Sequence, residues 1–347
     1  MKCHLVESLL RKMLLTLRLM LKRSIFILII LSGFVSKAQT LDEQIGYLLS
    51  DALFYSDKYI VPATDAAVYQ ASSSWMNSAK KKEKWQFDLG VHANVFFVPN
   101  RDRKFAISNS DFQFFEIEGA NEATVPTALG NDNQVYLVGD LDGQEIRFKT
   151  PEGINQETVV YPYLQASLGL PYGFEVVGRY STRTKLKRGD YQVYGFGLKH
   201  NFSQYFSALE SKKINLSFMT MYSNEEISFE FLDVDTDFGN LGLNQFTSKV
   251  DTYHFQLAVS KDIQAFEIIG SFIANVSNFN YRVSGNSSEA SVFESAINQL
   301  LPQLEDTKWN YMGELTGVYH FSKFFAKTSF TFGKFVNLNI GINYTIN

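Results

Sequence analysis

Few residues of this chain could do chemistry. Four histidines follow position 38, and three of them, His92, His254 and His320, share one face of alternating segments with Asp88, Arg179, Lys199, Glu267 and Glu314. Proton-linked or acid–base chemistry would draw on such a set. Ser271 and His254 fall on neighbouring segments and face the same way, but hydrolysis would also need a third group to orient the imidazole. An alternating wall offers several such coincidences, so no catalytic residue is assigned. There is no His-x-x-x-His spacing, and the one Cys is Cys3, so neither a metal site nor a cofactor is implied. Asp233, Asp235 and Asp237 alternate in a polar stretch but lack the Gly and Glu of a Ca²⁺ loop, so they read as solvated surface.

The elements that would carry these residues are those of an exported chain. Lys22 and Arg23 precede the apolar run Ile25 to Leu31, and Ser36 and Ala38 stand at the positions a signal peptidase reads. The run falls short of the roughly 20 residues that a spanning helix needs. Residues 1–38 are therefore read as a signal peptide cleaved after Ala38, with Met20 an alternative start. Cleavage removes seven of 32 basic and one of 36 acidic residues, leaving 25 against 35. So acidic a chain is unsuited to nucleic acid. Cys3 leaves with the signal, and packing and hydrogen bonds must hold the fold.

Aromatic residues make up 15% of the chain, with 31 Phe, yet mean hydropathy is −0.11. A transmembrane β-barrel has this composition, because each lipid-facing residue is followed by one facing a polar interior. From Trp85 the apolar period is two: Trp85, Phe87, Leu89, Val91, Ala93, Val95 and Phe97 alternate with polar or small neighbours. Val336, Leu338, Ile340, Ile342, Tyr344 and Ile346 repeat the design, as do segments at 164–170, 174–180, 194–202, 214–218, 227–231, 253–259, 266–276, 309–321 and 326–332. Less regular stretches at 104–118 and 134–149 would add two to four strands. The expectation is an all-β fold: an antiparallel transmembrane β-barrel of about 12–14 strands, over residues 84–347.

Upstream, Leu41, Ile45, Leu48, Leu49, Ala52 and Leu53 recur at helical spacing, predicting a helix over 42–54. Pro62 interrupts, and a second helical or irregular stretch follows. Residues 39–83 thus form a short N-terminal helical, plug-like segment. Connections are expected to be long at 203–212, 234–248 and 283–307 and short at 223–224, 261–264 and 322–324, with all the long ones outside the cell if the last strand ends in the periplasm. Within 283–307, Ala290, Phe293, Ala296, Ile297, Leu300, Leu301 and Leu304 predict an amphipathic helix over the barrel mouth. Trp85, Trp309 and Phe324 suit an interfacial girdle, and His200 an interfacial position at a strand end.

Leu168-Gly-Leu-Pro171-Tyr-Gly-Phe-Glu-Val-Val-Gly, Tyr194-Gly-Phe-Gly-Leu-Lys-His200-Asn-Phe-Ser-Gln-Tyr, and Trp75 with Trp85-Gln-Phe-Asp-Leu-Gly-Val-His-Ala-Asn-Val are family-specific blocks. Over about 70–260 the chain resembles an uncharacterised family of Gram-negative exported outer-membrane proteins, similar in type to the long-chain fatty acid transporter barrels. The resemblance implies about 14 strands and an N-terminal segment folded into the lumen. Two departures stand out: there is no Asn-Pro-Ala-Gly-like signature, and the chain ends Tyr344-Thr-Ile-Asn rather than on an aromatic.

The functional expectation is a plugged passive channel of the outer membrane for hydrophobic or small amphipathic compounds. The alternative is a structural or secretion-associated barrel that binds protein partners through external loops. Outer-membrane lipid is the expected surround, and a small hydrophobic ligand the expected cargo.

Overall fold

The computed structural model describes residues 41–230, 235–236, 239–240, 243–285 and 291–346. The chain divides into Met1–Ile45, of which only the first turn of a helix is described, and Gly46–Asn347, which holds everything below.

Ten antiparallel strands close a barrel among the described residues. They are β1 (Phe87–Phe97), β2 (Thr158–Gly169), β3 (Phe174–Tyr180), β4 (Gly189–Asn201), β5 (Ile214–Glu230), β6 (Leu243–Ile263), β7 (Phe266–Gly285), β8 (Thr307–Phe321), β9 (Phe324–Phe332) and β10 (Val336–Ile346). Each pairs with its sequence neighbour, and β1 pairs with β10 from Phe87↔Ile346 to Phe97↔Val336, so no edge is left. This is the antiparallel transmembrane β-barrel that the alternation implied, with ten strands instead of 12–14. The surplus was assigned to 104–118 and 134–149, which pair outside the wall. Lys104–Ser108 joins Glu122–Pro126, and Tyr136–Leu141 joins Glu116–Ile117 and Gln144–Lys149. On the strand Gln144–Lys149 one face carries Glu145, Arg147 and Lys149, charges that suit water and not lipid, while Ile146 on the other is buried.

Outward side chains make the apolar belt. Val91, Phe196, Leu315 and Ile340 are each more than half exposed, whereas Asp88, His92, Asn94 and Asn343 on the inner face are buried. Aromatic rows bound the belt. Phe174, His200, Tyr319, Phe324 and Tyr344 lie at the end where β1 begins and β10 finishes, and Tyr180, Tyr194, Tyr253 and Trp309 lie toward the other. From Tyr253 to Ile263 on β6, a strand rising about 3.3 Å per residue at a tilt of about 40° climbs about 25 Å, the height of a lipid-facing band. His200 sits as expected in the girdle, 4.1 Å from the Phe174 ring and 4.8 Å from Phe202.

The strands expected at 214–218 and 227–231 are one, β5, and there is no turn at 223–224. Above Tyr222 the outward positions become Asn224 and Glu226 because the strand has left the lipid, while Ile227 and Phe229 turn inward and are buried. The two ends of the barrel differ. The turn end carries 263–266, 321–324, the single 3₁₀ turn Pro171–Gly173, and the longer Asn201–Ile214 link with helix α2 (Ser207–Ser211). The 203–212 connection therefore lies with the short turns and not with the other long ones. The loop end carries Phe97–Thr158, the 230–243 link and the link with helix α3 (Ser291–Leu300). The α3 helix meets the expected amphipathic segment. Asn298 binds the Val283 backbone through both N–H and C=O at 2.8 Å, and Leu301 just beyond is buried. Ala290 lies outside the described residues, as do the side chains of Phe293, Ala296, Asp233, Asp235 and Asp237.

Upstream of β1 stands one helix, α1 (Leu41–Ser72), where a break at Pro62 was expected. Proline removes one amide from the ladder. Nearby carbonyls find other donors: Ala128 N–H binds Tyr59 O at 2.9 Å, and Thr64 Oγ1 binds Val61 O at 3.1 Å. Past Pro62 the helix is apolar or small on nearly every side, with Ala63, Ala66, Ala67, Val68 and Ala71 all buried, as befits a helix surrounded by protein.

Candidate functional site: a thread through the lumen

The barrel interior is occupied by the chain's own residues, and their order follows the barrel axis. Near the loop-end mouth, Asp65 takes Lys334 Nζ at 2.5 Å and Lys308 Nζ at 3.3 Å. One turn on, Tyr69 packs edge-on to Phe335 and its carbonyl accepts Asn337 Nδ2 at 3.0 Å. Tyr161 OH then donates to Gln70 O at 3.0 Å, and Asn275 to Ser72 Oγ at 2.9 Å. Ser74, in the left-handed region at φ 60°, ends the helix. Residues 75–83 continue as an irregular strip to the turn end, where Lys82 Nζ meets Asp88 at 2.6 Å and Glu175 at 3.1 Å. Trp85 N–H binds Gly169 O, and β1 begins.

A strip without regular structure leaves its amides and carbonyls unpaired, and buried ones need partners. The inner wall supplies them. Arg179 donates to Ala71 O (3.3 Å), Ser73 O (2.9 Å) and Ser74 O (2.8 Å). Its guanidinium lies between the Trp75 and Tyr163 rings, 4.2 Å from each centroid. A cation on the last carbonyls of a helix also complements the helix dipole. Lys327 Nζ binds Ser74 O at 2.7 Å, Met76 O at 3.2 Å and Asn77 Oδ1 at 3.0 Å. Lys199 Nζ binds Ser78 O at 2.8 Å and Lys80 O at 3.1 Å, and is ion-paired to Glu175.

Carboxylates take the amides. Glu314 accepts Ser74 N–H at 2.6 Å, and Glu267 accepts Ala79 N–H at 3.0 Å and Ser78 Oγ at 2.6 Å. Between these polar grips lies a dry collar in which Trp75, Met76 and Ala79 meet Val177, Met219 and Met221. Higher up, outside the barrel wall, burial pushes the hydroxyl pKa values of Tyr55 and Tyr59 well above the ordinary range, and the Tyr59 hydroxyl donates to Glu152 O at 2.8 Å.

The inward set read from the alternation is thus gathered, though around a peptide and not around solvent. Asp88, Arg179, Lys199, Glu267 and Glu314 all hold the thread. His92 lies nearly parallel to the Tyr163 ring at 4.9 Å and contacts Asn343 Oδ1 at 3.1 Å, with Gly341 beneath it. His320, half-buried at the turn end, lies 5.5 Å from the Phe325 ring with the two planes tilted by 40°. Ser271 and His254 are not brought together: Ser271 pairs across from Ala258, and His254 from Asn275. His254 Nε2 is instead 3.0 Å from Ser223 Oγ, and its Nδ1 has no hydrogen-bond partner, so nothing orients the ring as a triad would require. Lys327, Lys82 and Asn343 escaped the sequence reading. Lys327 carried a usable signal, since it is a cation on the polar side of a strand whose other side is Ala326, Thr328 and Phe330.

A family model described as a family of unknown function (DUF6588) matches residues 19–346. No curated protein matches the chain. Solved structures with some likeness include a Pseudomonas aeruginosa FadL homologue (12% identity, TM-score 0.31, covering 77% of this chain and 67% of that one). The translocator domain of the autotransporter NalP from Neisseria meningitidis gives 9% identity and TM-score 0.29, over 81% and 94%. The Pseudomonas putida toluene transporter TodX gives 8% and 0.23, over 81% and 97%. At these scores the architecture rests on the chain's own strand pairing.

Proposed function

The chain belongs to this family of unknown function, and we propose that it is an outer-membrane channel barrel closed at rest by the stretch of its own N-terminal segment from Asp65 to Glu83, exported by a signal peptide cleaved after Ala38. The turn end faces the periplasm and the loop end faces outward, in keeping with short connections on the periplasmic side. The observation that carries the reading is the thread: one contiguous strip fills the lumen and is covalently tied to the wall only where it runs into β1, so a shift of that strip would open a passage.

The lining left behind would mix Tyr161, Tyr163, Met219 and Met221 with Gln165, Asn275 and Asn343. That mixture suits small amphipathic compounds better than pure hydrocarbons. No catalytic step is part of the reading. Protein binding at the loop end is the second reading, favoured by the two small sheets that Phe97–Thr158 builds there.

The test is a lock. Ser74 Oγ lies 3.0 Å from Ser329 Oγ, and the processed chain has no thiol of its own, so Ser74→Cys with Ser329→Cys gives one redox-controlled staple between thread and wall. Proteoliposomes should take up a small amphipathic fluorophore when the pair is reduced and fall to background when it is oxidised. Equal uptake in both states would overturn the moving segment, and background uptake in both would overturn the channel.

A further inference from the structure

The direction of the thread says more than that the lumen is filled. At the turn end it runs into β1, and at the other end it does not stop at the barrel mouth. Asp65 marks that mouth, and Gly46 lies a further 28 Å or so along a helix rising about 1.5 Å per residue. Contacts follow it out. Phe54 meets Phe112 edge-on at 5.7 Å, and the Asp51 carboxylate accepts amides of Gln113, Phe114 and Phe115 at 2.8–2.9 Å. The partners, Phe112 to Phe115, belong to the Phe97–Thr158 connection, which hangs from the loop ends of β1 and β2. Gly46 is exposed, and a Cβ added there would meet nothing within 4 Å.

We infer that this chain crosses the membrane once through its own barrel before building it, so that Gly46 faces the cell exterior while β1 starts from the periplasmic side. The inference rests on the orientation proposed above. The added function is presentation. The segment Gly46–Tyr59, braced by the Asp51 carboxylate under the Phe97–Thr158 cap, is an outer-surface element, and a peptide joined ahead of Gly46 is carried to the cell surface by the fold itself. Pores that hold a segment wholly within the lumen do not do this. Here the thread is longer than the wall is tall, and its excess lies entirely on the loop side.

Single cysteines in a Cys3→Ser background test it: Gly46→Cys, Ser110→Cys in the cap, and Ser211→Cys in the turn-end α2. All three positions are exposed. Intact cells are treated with a membrane-impermeant maleimide and compared with permeabilised cells. Gly46→Cys and Ser110→Cys should label at least tenfold more than Ser211→Cys in intact cells, and all three equally after permeabilisation. If Ser110→Cys labels but Gly46→Cys waits for permeabilisation, the presentation is overturned and the orientation stands. If Ser211→Cys labels alone, the orientation itself is reversed and both readings fall.

Discussion

The two faces of one barrel wall follow opposite rules. On β1, Leu89 and Val91 point outward and are 45% and 59% exposed, while their neighbours Asp88 and His92 point inward and are 4% and 2% exposed. Outside, apolar groups are exposed because the solvent is lipid; inside, polar groups are dry because their solvent is a peptide backbone. An outer position needs only an apolar surface. An inner one must match a particular amide or carbonyl, so the inner face should be the less forgiving of the two.

The largest test of that difference is Arg179→Met. It strips three thread carbonyls of a charged donor in a buried site and should cost about 3–5 kcal/mol. The temperature at which the folded barrel stops migrating as a compact band in a detergent gel should fall accordingly. Next is the outer face: Val91→Arg places a charge in mid-belt and should cost about 2–4 kcal/mol, read by urea unfolding from liposomes, whereas Val91→Leu should be neutral there. Gly341→Ala comes third. Its Cβ would fall 2.1 Å from His92 Nδ1, so about 1–3 kcal/mol of overpacking is expected. Adding His92→Ala should recover part of it, and a strictly additive double variant would show that the close approach is not the cause. The smallest effect is Ser271→Ala, which should change stability by less than about 0.5 kcal/mol and leave any ester hydrolysis by the purified protein unaltered. A hydrolytic rate that vanished with this serine would bring catalysis back.

The same contrast decides what could be read from the residues. Outer faces were legible because lipid imposes one period on every strand, and β1 and β10 were recognisable residue by residue. Legibility failed where strands rise out of the lipid. Ser223 and Asn224 look like a turn until it is seen that β5 continues above the belt, and 104–118 and 134–149 look like wall although their strands pair outside it. The inner face was half legible. Asp88, Arg179, Lys199, Glu267 and Glu314 could be placed inward, but not assigned a partner, because the carbonyls of Ser73 to Lys80 carry no side-chain signature. The strip 73–83 has no period of its own, since its shape is set by the wall around it.

The thread also bears on how fast such a molecule can be made. Phe87↔Ile346 and its neighbours along the seam are pairings between the first and last strands, the costliest contacts in the chain in loop-closure entropy. A finished hoop could not readily admit a helix about 10 Å wide behind it, so the helix has to be in place when the hoop shuts. Tyr69 O and Asn77 already engage Asn337 and Asn343 of the last strand, while β1 continues directly from the same strip. The strip can therefore act as a mandrel that brings both edges of the seam to one address, turning a slow search across the length of the chain into a short one.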